Sequence, residues 1–539
     1  MTKKYDSIVV GAGIAGLTAA TYLARAGQSV LLIERQSKVG GLIQTFEREG
    51  VYFDGGLRSI ENSGVVFPML KQLGIDIDFV KSKVSIGIGD TVLTLENRAS
   101  LADYEIFLQK QFPENKQDVS RIIQEIKKSM EHMDVLYGID NPAFLDLMAD
   151  KKYLLKVILP WMFKFIRTVR KITNLNQPVD EYLQRFTSNQ QLIDIIAQHF
   201  FQKTPASFAL SYFSLYLDYF YPKGGTAMLP SKLEECFRKF DGKIKLNTTV
   251  LSIEPEQKKI HVQSGEVFEY TNMIWAGDTK QLYNLTNINE IGDKKLKQSI
   301  LKKREQLRDL KAGDSVFSAF ITVDLDREYF ASKCSGHFFY TPSKAGLSTM
   351  HNDAIQQFIV APISEQHREQ QKEIVIKYLM DYCALNTYEI SIPILRDPNM
   401  APEGKAGLIV SLLYDYNLAL KIEEYGWTAE IKQLLEQTFI QVLDRSIFPG
   451  LKKAVTSSFS SSPLTIEKRT GNTEGGITGW AFTNPIMPAE SRMLQIYKSV
   501  DTLLPSVYQA GQWVYSPSGM PTCILTGKLA SDKVLKKSK

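Results

Sequence analysis

The sequence has little of what disulfide-bonded, metal-binding or membrane-spanning proteins require. Its 539 residues include only four cysteines, which are widely separated and form no CxxC pair (Cys236, Cys334, Cys383 and Cys523). This spacing argues against a disulfide framework or a zinc site and fits a reducing compartment. The six histidines show no metal-ligand spacing, so we expect no metal site. No stretch has the length of an uninterrupted membrane span.

Charge and missing motifs exclude further classes of function. The net charge of +5 is too small to imply nucleic-acid binding by itself, and we expect no nucleic-acid partner. Neither a Gly-x-Ser-x-Gly elbow nor a paired-carboxylate motif is visible, so the sequence offers no obvious nucleophile and base. The chain passes from Lys3 and Lys4 into a predicted strand without an apolar leader, which predicts a cytoplasmic location.

What the sequence does have is a glycine-rich fingerprint near its start. A buried strand is predicted for residues 7–10, directly before the run GAGIAG at 11–16, and an Ala-rich helix follows through Arg25. A second buried strand over 29–33 ends in Glu34. Strand, glycine turn, helix, strand and acid follow one another in the order that a dinucleotide-binding unit requires.

Each residue type in this fingerprint has a physical role. Gly11 permits the tight turn, Gly13 lets a pyrophosphate approach the backbone, and Gly16 lets the helix pack closely on the sheet. The helix N-terminus offers unpaired N–H groups to the phosphates. Glu34 is placed to accept hydrogen bonds from a ribose and argues against NADP, although Arg35 beside it weakens that argument.

The residues that follow favour FAD over NAD. Gly40, Gly41 and Leu42 come soon after the acid, and GVYFDGG follows at 50–56. This arrangement resembles the extended fingerprint of the flavoprotein superfamily that includes amine oxidases, protoporphyrinogen oxidase and carotenoid desaturases. Only one nucleotide fingerprint is present, so we expect no separate domain for a nicotinamide cofactor.

The end of the chain carries an independent signal. Residues 507–511 (VYQAG) read as a short strand ending in glycine, and SPSGMP at 516–521 precedes a helical pattern over 522–535. This resembles the closing motif of the same superfamily, where a helix N-terminus approaches the flavin ring. Many members have an acid after the glycine, whereas this chain has Gln512, as some carotenoid-isomerase-like and retinol-saturase-like members do.

Three further motifs narrow the resemblance. They are YPKGGTAMLP at 221–230, DPNMAPEG at 397–404 and PLTIEKRTGN at 463–472. With the two flavin motifs they resemble the phytoene desaturase, carotenoid isomerase and retinol saturase family over nearly the whole chain. The resemblance implies an FAD-dependent oxidoreductase that desaturates, saturates or isomerises carbon–carbon bonds of a long apolar lipid. A flavin oxidase of the amine or porphyrinogen type and a non-catalytic flavin- and lipid-binding protein are the alternatives.

The motifs also predict site residues. Arg469 could meet a polar end group or stabilise charge near the flavin, or it could form a structural ion pair; other catalytic residues stay open, as does the electron donor or acceptor (quinone, NAD(P)H or oxygen). The expected cofactor-binding residues are Gly11, Gly13, Ile14, Ala15, Gly16, Glu34, Arg35, Gly40, Gly41, Leu42, Arg58, Val250, Gly277, Gly511, Gln512, Met520, Pro521 and Ile524.

The predicted fold is α/β. A Rossmann-like FAD-binding domain of the amine oxidase or desaturase type is interleaved with an α+β substrate domain that has an antiparallel sheet and a helical lid. The FAD-binding domain is expected at 1–98, 221–290 and 491–539, the helical region at 99–220 and the substrate domain at 291–490. Strands of the substrate domain are expected at 316–323, 357–360, 374–376 and 408–414.

Two apolar segments of the helical region stand out. Residues 151–171 combine apolar bulk with lysines and arginines and contain no acid, which predicts an interfacial helix on an anionic membrane surface and a peripheral location on its inner face. The alternative is a helix packed on the core with snorkelling cations. Pro160 could kink it. The aromatic stretch 208–221 is interpreted either as core or as the wall of an apolar tunnel.

Overall fold

The computed structural model describes residues 3–146, 151–173 and 175–537. The strands are β1 (Lys3–Val10), β2 (Val30–Ile33), β3 (Thr45–Arg48), β4 (Val51–Asp54), β5 (Ile60–Glu61), β6 (Phe79–Lys81), β7 (Val84–Ile88), β8 (Thr91–Leu95), β9 (Tyr219–Pro222), β10 (Lys243–Lys245), β11 (Val250–Glu254), β12 (Lys259–Val262), β13 (Val267–Trp275), β14 (Ser315–Val323), β15 (His337–Thr341), β16 (Tyr388–Ser391), β17 (Ala406–Tyr414), β18 (Val455–Ser461) and β19 (Val507–Gln509). The helices are α1 (Ile14–Arg25), α2 (Val66–Leu73), α3 (Ser100–Gln111), α4 (Lys116–Tyr137), α5 (Lys151–Tyr153), α6 (Leu159–Thr173), α7 (Val179–Leu183), α8 (Gln190–Ala197), α9 (Ala206–Ala209), α10 (Tyr212–Tyr216), α11 (Met228–Lys239), α12 (Thr279–Leu285), α13 (Lys294–Arg308), α14 (Arg327–Ala331), α15 (Asp353–Val360), α16 (Arg368–Leu385), α17 (Tyr416–Glu424), α18 (Thr428–Arg445), α19 (Leu451–Ala454), α20 (Pro463–Thr470) and α21 (Met520–Lys537).

The first sheet carries the glycine fingerprint. Strands β10, β2, β1 and β13 lie side by side in parallel, and β19 joins the far edge of β13, also in parallel. The antiparallel pair β11 and β12 extends the same edge. Along β1 and β2, Val9 and Leu32 face one apolar core while Ile8 and Leu31 face the other, so both faces of the sheet are covered. The predicted Rossmann-like sheet is confirmed.

The second sheet has the order β18-β14-β17-β16-β15-β7-β8. Its pairs are antiparallel except β15 with β7, so the predicted antiparallel sheet is confirmed with one parallel pair. The strands predicted at 357–360 and 374–376 are wrong, because these residues lie in α15 and α16. Short apolar runs do not distinguish a strand from one turn of a buried helix, and Val375, Leu379 and Cys383 recur at helical spacing.

The chain passes between the two sheets several times. The first sheet takes strands from residues 3–33, 243–275 and 507–509, while β7 and β8, at 84–95, pair in the second sheet. The domain boundary expected after residue 98 would place β7 and β8 in the FAD-binding domain, whereas both strands pair in the sheet of the substrate domain. The other domain boundaries remain predictions. Helices α3, α4 and α6 to α10 form a separate apolar cluster beside the second sheet.

Within the basic segment, a π-helical turn over Leu154–Ile158 separates α5 from α6. Pro160 follows directly; it has no N–H and its ring crowds the carbonyl four residues earlier, so the preceding turn widens. Across the described ranges, no helix is both long and apolar enough to cross a membrane.

Candidate functional site

A cavity of about 840 Å³ begins where the parallel strands of the first sheet end and continues toward the second sheet. At its start β1 ends at Val10, Gly11 turns with φ of +97°, and α1 begins at Ile14. Within the described chain no side chain caps this helix, whose first internal hydrogen bond runs from Leu17 N to Gly13 O. The first N–H groups of α1 are therefore available to a ligand in the cavity.

Gly13 and Gly16 have different structural roles in this turn. A Cβ on Gly13, whose φ of −70° suits any residue, would have no heavy atom of the described chain within 4 Å. A Cβ on Gly16 would lie 1.9 Å from the carbonyl oxygen of Gly11. Gly13 therefore leaves space to the cavity, whereas Gly16 allows α1 to pack against the turn.

A second pair of glycines, Gly40 and Gly41, packs against the turn that contains Gly11 and Gly13. Gly40 N donates to Ala12 O at 2.8 Å, and a Cβ on Gly41 would be 3.2 Å from Gly13 Cα. Both residues have positive φ, 113° for Gly40 and 60° for Gly41. A side chain at either position would be strained, so the two loops meet at the cavity through backbone alone.

Glu34 ends β2 at the same edge of the sheet. Its Oε2 accepts from Ala12 N at 2.7 Å and its Oε1 from Gln36 N at 2.8 Å, while the carboxylate lies on the cavity wall. Each carboxylate oxygen has a second lone pair, so Glu34 can still accept from hydroxyl groups of a ligand.

Arg35 is held by the end of α20. Its guanidinium donates to the carbonyls of Lys468 at 2.5 Å and Arg469 at 3.2 Å, and Gln36 Nε2 also donates to Arg469 O. Cations commonly satisfy the last carbonyls of a helix in this way. Arg469 therefore lies at the Glu34 end of the cavity, and in the described residues its side chain forms no ion pair.

The far part of the cavity is a chamber between the helical region and the second sheet. Aromatic rings of Phe201, Phe208, Tyr212 and Tyr219 form one side. The polar side of the wall comes from β14, β15, β16 and β17 and includes Ser318, His337, Glu389 and Ser411, with His337 against the ring of Tyr219. We call this part the chamber.

A buried charge network supports the polar side. His337 is 2% exposed; its Nε2 is 3.0 Å from Glu389 Oε1, its Nδ1 is 3.1 Å from Ser59 Oγ, and Tyr219 stacks on its ring. Burial lowers the pKa of His337. Burial alone would raise the pKa of Glu389, but the hydrogen bond and charge of His337, with Arg58 and Arg396, hold it below its usual value.

Arg58 and Asp54 connect this network to the glycine loops. The Arg58 guanidinium donates to Asp54 O and to Ser411 Oγ, and burial lowers its pKa. The Asp54 carboxylate accepts from Thr226 N at 2.9 Å and Tyr221 O–H at 2.8 Å. The segments 53–58 and 221–227 are thereby held together beneath the cavity.

Residues 14–357, more than half of the chain, match the family of flavin-containing amine oxidoreductases. The chain belongs to this family. It is an FAD-dependent oxidoreductase, as the fingerprints predicted. The resemblance to carotenoid- and retinoid-converting flavoproteins is confirmed by the relatives that follow.

Several curated relatives match this flavoprotein over most of its length. All-trans-retinol 13,14-reductase of Macaca fascicularis is 21% identical over 99% of this chain and 86% of its own length. The 1-hydroxycarotenoid 3,4-desaturase of a Flavobacterium species is 22% identical over 98% of each chain. Prolycopene isomerase 2 of an Oncidium hybrid cultivar is 22% identical over 86% of this chain and 73% of its own. The inactive all-trans-retinol 13,14-reductase of Danio rerio is 27% identical over only 46% of this chain and 41% of its own length.

Solved structures share the fold of this flavoprotein along its whole length. Wild-type putrescine oxidase bound to putrescine has a TM-score of 0.56 at 12% identity, covering 99% of this chain and 100% of its own. Cyclohexylamine oxidase of Brevibacterium oxydans has a TM-score of 0.57 at 13% identity, covering 99% of each chain. At such identities the likeness establishes the fold alone.

The cavity has the features that FAD requires. Open space over Gly13, free N–H groups at α1 and an acceptor at Glu34 suit a pyrophosphate and a ribose. FAD supplies hydride transfer when bound, and the protein binds it, orients it and excludes water. The predicted cofactor-binding residues that line the cavity are Gly11, Gly13, Ile14, Ala15, Glu34, Arg35, Gly40, Gly41, Leu42, Arg58, Val250, Gly277, Gly511, Gln512 and Met520.

Three predicted cofactor-binding residues lie off the cavity wall. Gly16 packs beneath the first turn, and Pro521 and Ile524 are buried in the first two turns of α21, Ile524 within the apolar core that α21 shares with α1. Met520 and Cys523 are the residues of these turns that line the cavity. Arg469 lies beside Arg35 rather than in the chamber, so its position gives no support to a catalytic role.

The aromatic stretch satisfies both interpretations, because Phe208, Tyr212 and Tyr219 line the cavity while Phe213 and Leu215 are core. Sequence reasoning missed four residues that line the cavity or support it: Asp54, Glu61, His337 and Glu389. Single polar residues in unrelated strands form no sequence pattern, and the run FDGG was the only signal near Asp54.

Proposed function

We propose that this flavoprotein transfers hydrogen between FAD and a carbon–carbon bond of a long polyene lipid. The observation that carries the proposal is the continuity of one cavity from the FAD half into the aromatic-walled chamber. Rings such as Phe208 and Tyr212 offer an apolar surface to a conjugated chain, which has few groups that hydrogen bonds could hold. Relatives named for retinol reduction, carotenoid desaturation and prolycopene isomerisation support the substrate class.

An amine or porphyrinogen substrate has less support. The likeness to putrescine oxidase concerns the fold alone, and the relatives that match most of this chain are named for polyenes. Desaturation, saturation and isomerisation are all compatible with a polyene-binding chamber. The electron donor or acceptor, whether a quinone, NAD(P)H or oxygen, is likewise open.

The three chemistries differ in product mass. We expect oxidised or reduced holoenzyme, mixed without oxygen with all-trans-retinol, prolycopene or a 1-hydroxycarotenoid, to change one of these polyenes. A gain of two hydrogens identifies saturation, a loss of two identifies desaturation, and an unchanged mass with altered retention identifies isomerisation. Putrescine is the matched control. Turnover of putrescine with no change in any polyene would refute the proposal.

We also propose that residues 151–171 dock the protein on an anionic membrane, peripherally on its cytoplasmic face. In this segment Leu155 and Phe163 are 62% and 72% exposed, while Ile158 and Val169 pack inward. Trp161 Nε1 donates to Val135 O at 2.6 Å, which holds α6 in place. Exposed apolar side chains among cations, without an acid, suit the boundary between acyl chains and anionic headgroups. The exposed cations are Lys152, Lys156, Lys164, Arg167, Arg170 and Lys171.

Charge reversal tests this docking surface. Changing Lys156, Lys164 and Arg167 together to Glu should weaken binding to vesicles of phosphatidylserine and phosphatidylcholine by at least about 100-fold, because each cation near the surface contributes about 1 kcal/mol. Co-sedimentation with the vesicles measures the effect.

Helix α13 provides a matched control. It exposes Lys294, Lys295 and Lys302 on another part of the surface, and changing these to Glu alters the net charge equally. We expect this control to retain vesicle binding. Equal loss in both triple variants would attribute the binding to net charge and remove the assignment to 151–171.

A further inference from the structure

A carboxyl group lies on the cavity wall where the FAD half meets the chamber. Glu61, the last residue of β5, pairs with Tyr219 of β9 in antiparallel register and lines the cavity. Its Oε1 is 3.3 Å from the position that a Cβ on Gly519 would take, directly before α21. Glu61 is thus close both to the closing flavin motif and to the aromatic rings of the chamber.

The surroundings of Glu61 differ from those of Glu34 and Asp54, whose carboxylates hold neighbouring backbone segments in place. Within the described ranges no hydrogen bond holds its oxygens, whereas Glu34 and Asp54 are each tied to backbone N–H groups. The titratable groups that interact with it are Asp218, Tyr137, Tyr212 and Tyr219, and no cation is among them. Burial, and then the charge of Asp218, raises the pKa of Glu61 to about 7.

Glu389, another carboxyl group on the cavity wall, behaves in the opposite way. Glu389 is bonded to His337 and lies near Arg58 and Arg396, which hold its pKa below the usual value. The pKa values of Glu61 and Glu389, which line the same cavity, are thereby shifted in opposite directions. Such a pair separates the group that exchanges protons near neutral pH from the group that stays ionised.

We propose that the Glu61 carboxyl donates and accepts the proton in the carbon–carbon chemistry of this enzyme. The inference rests on the proposed function. In saturation, reduced FAD would supply a hydride to one alkene carbon, and the neighbouring carbon would use the π electron pair to take the proton from Glu61. Two C–H bonds would form, while the C=C π bond, the Glu61 O–H bond and the flavin N–H bond that held the hydride would break, leaving oxidised FAD and a carboxylate. Desaturation runs the same step in reverse.

Glu61→Gln tests the assignment, because glutamine keeps the shape but exchanges no proton in this range. We expect the variant to retain FAD and to convert the active polyene at least about 100-fold more slowly, the usual size of a general acid–base contribution. Glu61→Asp should recover part of the rate. The control is Glu365→Gln, whose carboxylate is 75% exposed on another surface, and it should match wild type.

Two readouts do not depend on turnover. Infrared difference spectra between about pH 5 and about pH 9 should show one protonated carboxyl disappearing near neutral pH in wild type and not in Glu61→Gln. Asp218→Asn should move that midpoint lower, because it removes the neighbouring negative charge. The pH dependence of stability is the second readout. Because the pKa of Glu61 is higher in the folded protein than in the unfolded chain, its contribution to the stability of wild type falls as pH rises from about 4.5 to about 7. Glu61→Gln should lose less stability than wild type over this pH range.

The outcomes separate this inference from the proposed function. A wild-type enzyme that converts a polyene, with Glu61→Gln equally fast or the infrared titration unchanged, overturns the role of Glu61 alone. Failure of wild type with every polyene overturns the proposed function, and the proton transfer with it.

Discussion

A valine at position 13 is expected to give a folded protein that does not bind FAD. Gly13 has an ordinary backbone conformation, and a Cβ there would have no heavy atom of the described residues within 4 Å apart from its own chain neighbours, so folding should tolerate a side chain. The same side chain would occupy the space over the first turn of α1, where a pyrophosphate must approach the N–H groups. We expect FAD affinity to fall by at least about 100-fold, or about 3 kcal/mol, measured by flavin fluorescence and the visible spectrum.

The matched control is Gly292→Val. Gly292 also has room for a Cβ, its nearest neighbour being Glu256 Oε2 at 3.6 Å, and it lies away from the cavity. This variant should keep its flavin. Gly16→Val, in contrast, should fail to fold, because its Cβ would lie 1.9 Å from Gly11 O. Normal flavin content in Gly13→Val would refute the placement of the pyrophosphate.

Asp54→Ala is expected to give a folded protein with a large loss of stability. The carboxylate is fully buried and accepts from Thr45 Oγ1, from the N–H and hydroxyl of Thr226, and from Tyr221 O–H. Alanine would leave several of these donors buried and unpaired, each at a cost of about 1–3 kcal/mol. We therefore expect the free energy of unfolding to fall by at least about 3 kcal/mol, measured by denaturant titration of the apoprotein.

A milder substitution at the same position and a control at an exposed carboxylate test whether the loss of stability comes from the buried hydrogen bonds. Asp54→Asn keeps an oxygen that can accept from Thr226 N, so a smaller loss is expected. Asp309→Ala removes a carboxylate whose side chain is 79% exposed and should change stability by less than about 0.5 kcal/mol. Equal stability of Asp54→Ala and wild type would show that the segments around Thr45 and Thr226 are held by other contacts.

Local pattern was enough to predict the FAD half of the site. The turn at Gly11 and Gly13, the acid at Glu34 and Gly511 just after β19 each lie within a strand–turn–helix or strand–turn unit that is short in sequence. Carboxyl ends of parallel strands meet at one edge, so these units converge without further information. Gly16, Pro521 and Ile524 lie off the cavity wall, and their assignment to cofactor binding stays a prediction.

The chamber could not be predicted in the same way. Tyr219 belongs to the aromatic stretch 208–221, which the sequence predicts as core or as a tunnel wall. Glu61, His337 and Glu389 lie on three other strands that are far apart in the sequence, and none of these three belongs to a motif. They meet because β5 pairs with β9, β15 pairs with β16, and Tyr219 stacks on His337. The two misassigned strands, at 357–360 and 374–376, have the same origin: apolar runs of that length carry no information about the element that buries them.

The amino-acid order therefore determined the cofactor and the nucleotide-binding unit, because glycine, acid and apolar strand act on their immediate neighbours. The pairing of distant strands decided which carboxyl group faces the chamber without a hydrogen bond from the described residues and which is bonded to His337 near the buried arginines. Proton affinity depends on burial and on the charges that surround a group, and both are set by packing between segments that the sequence keeps apart.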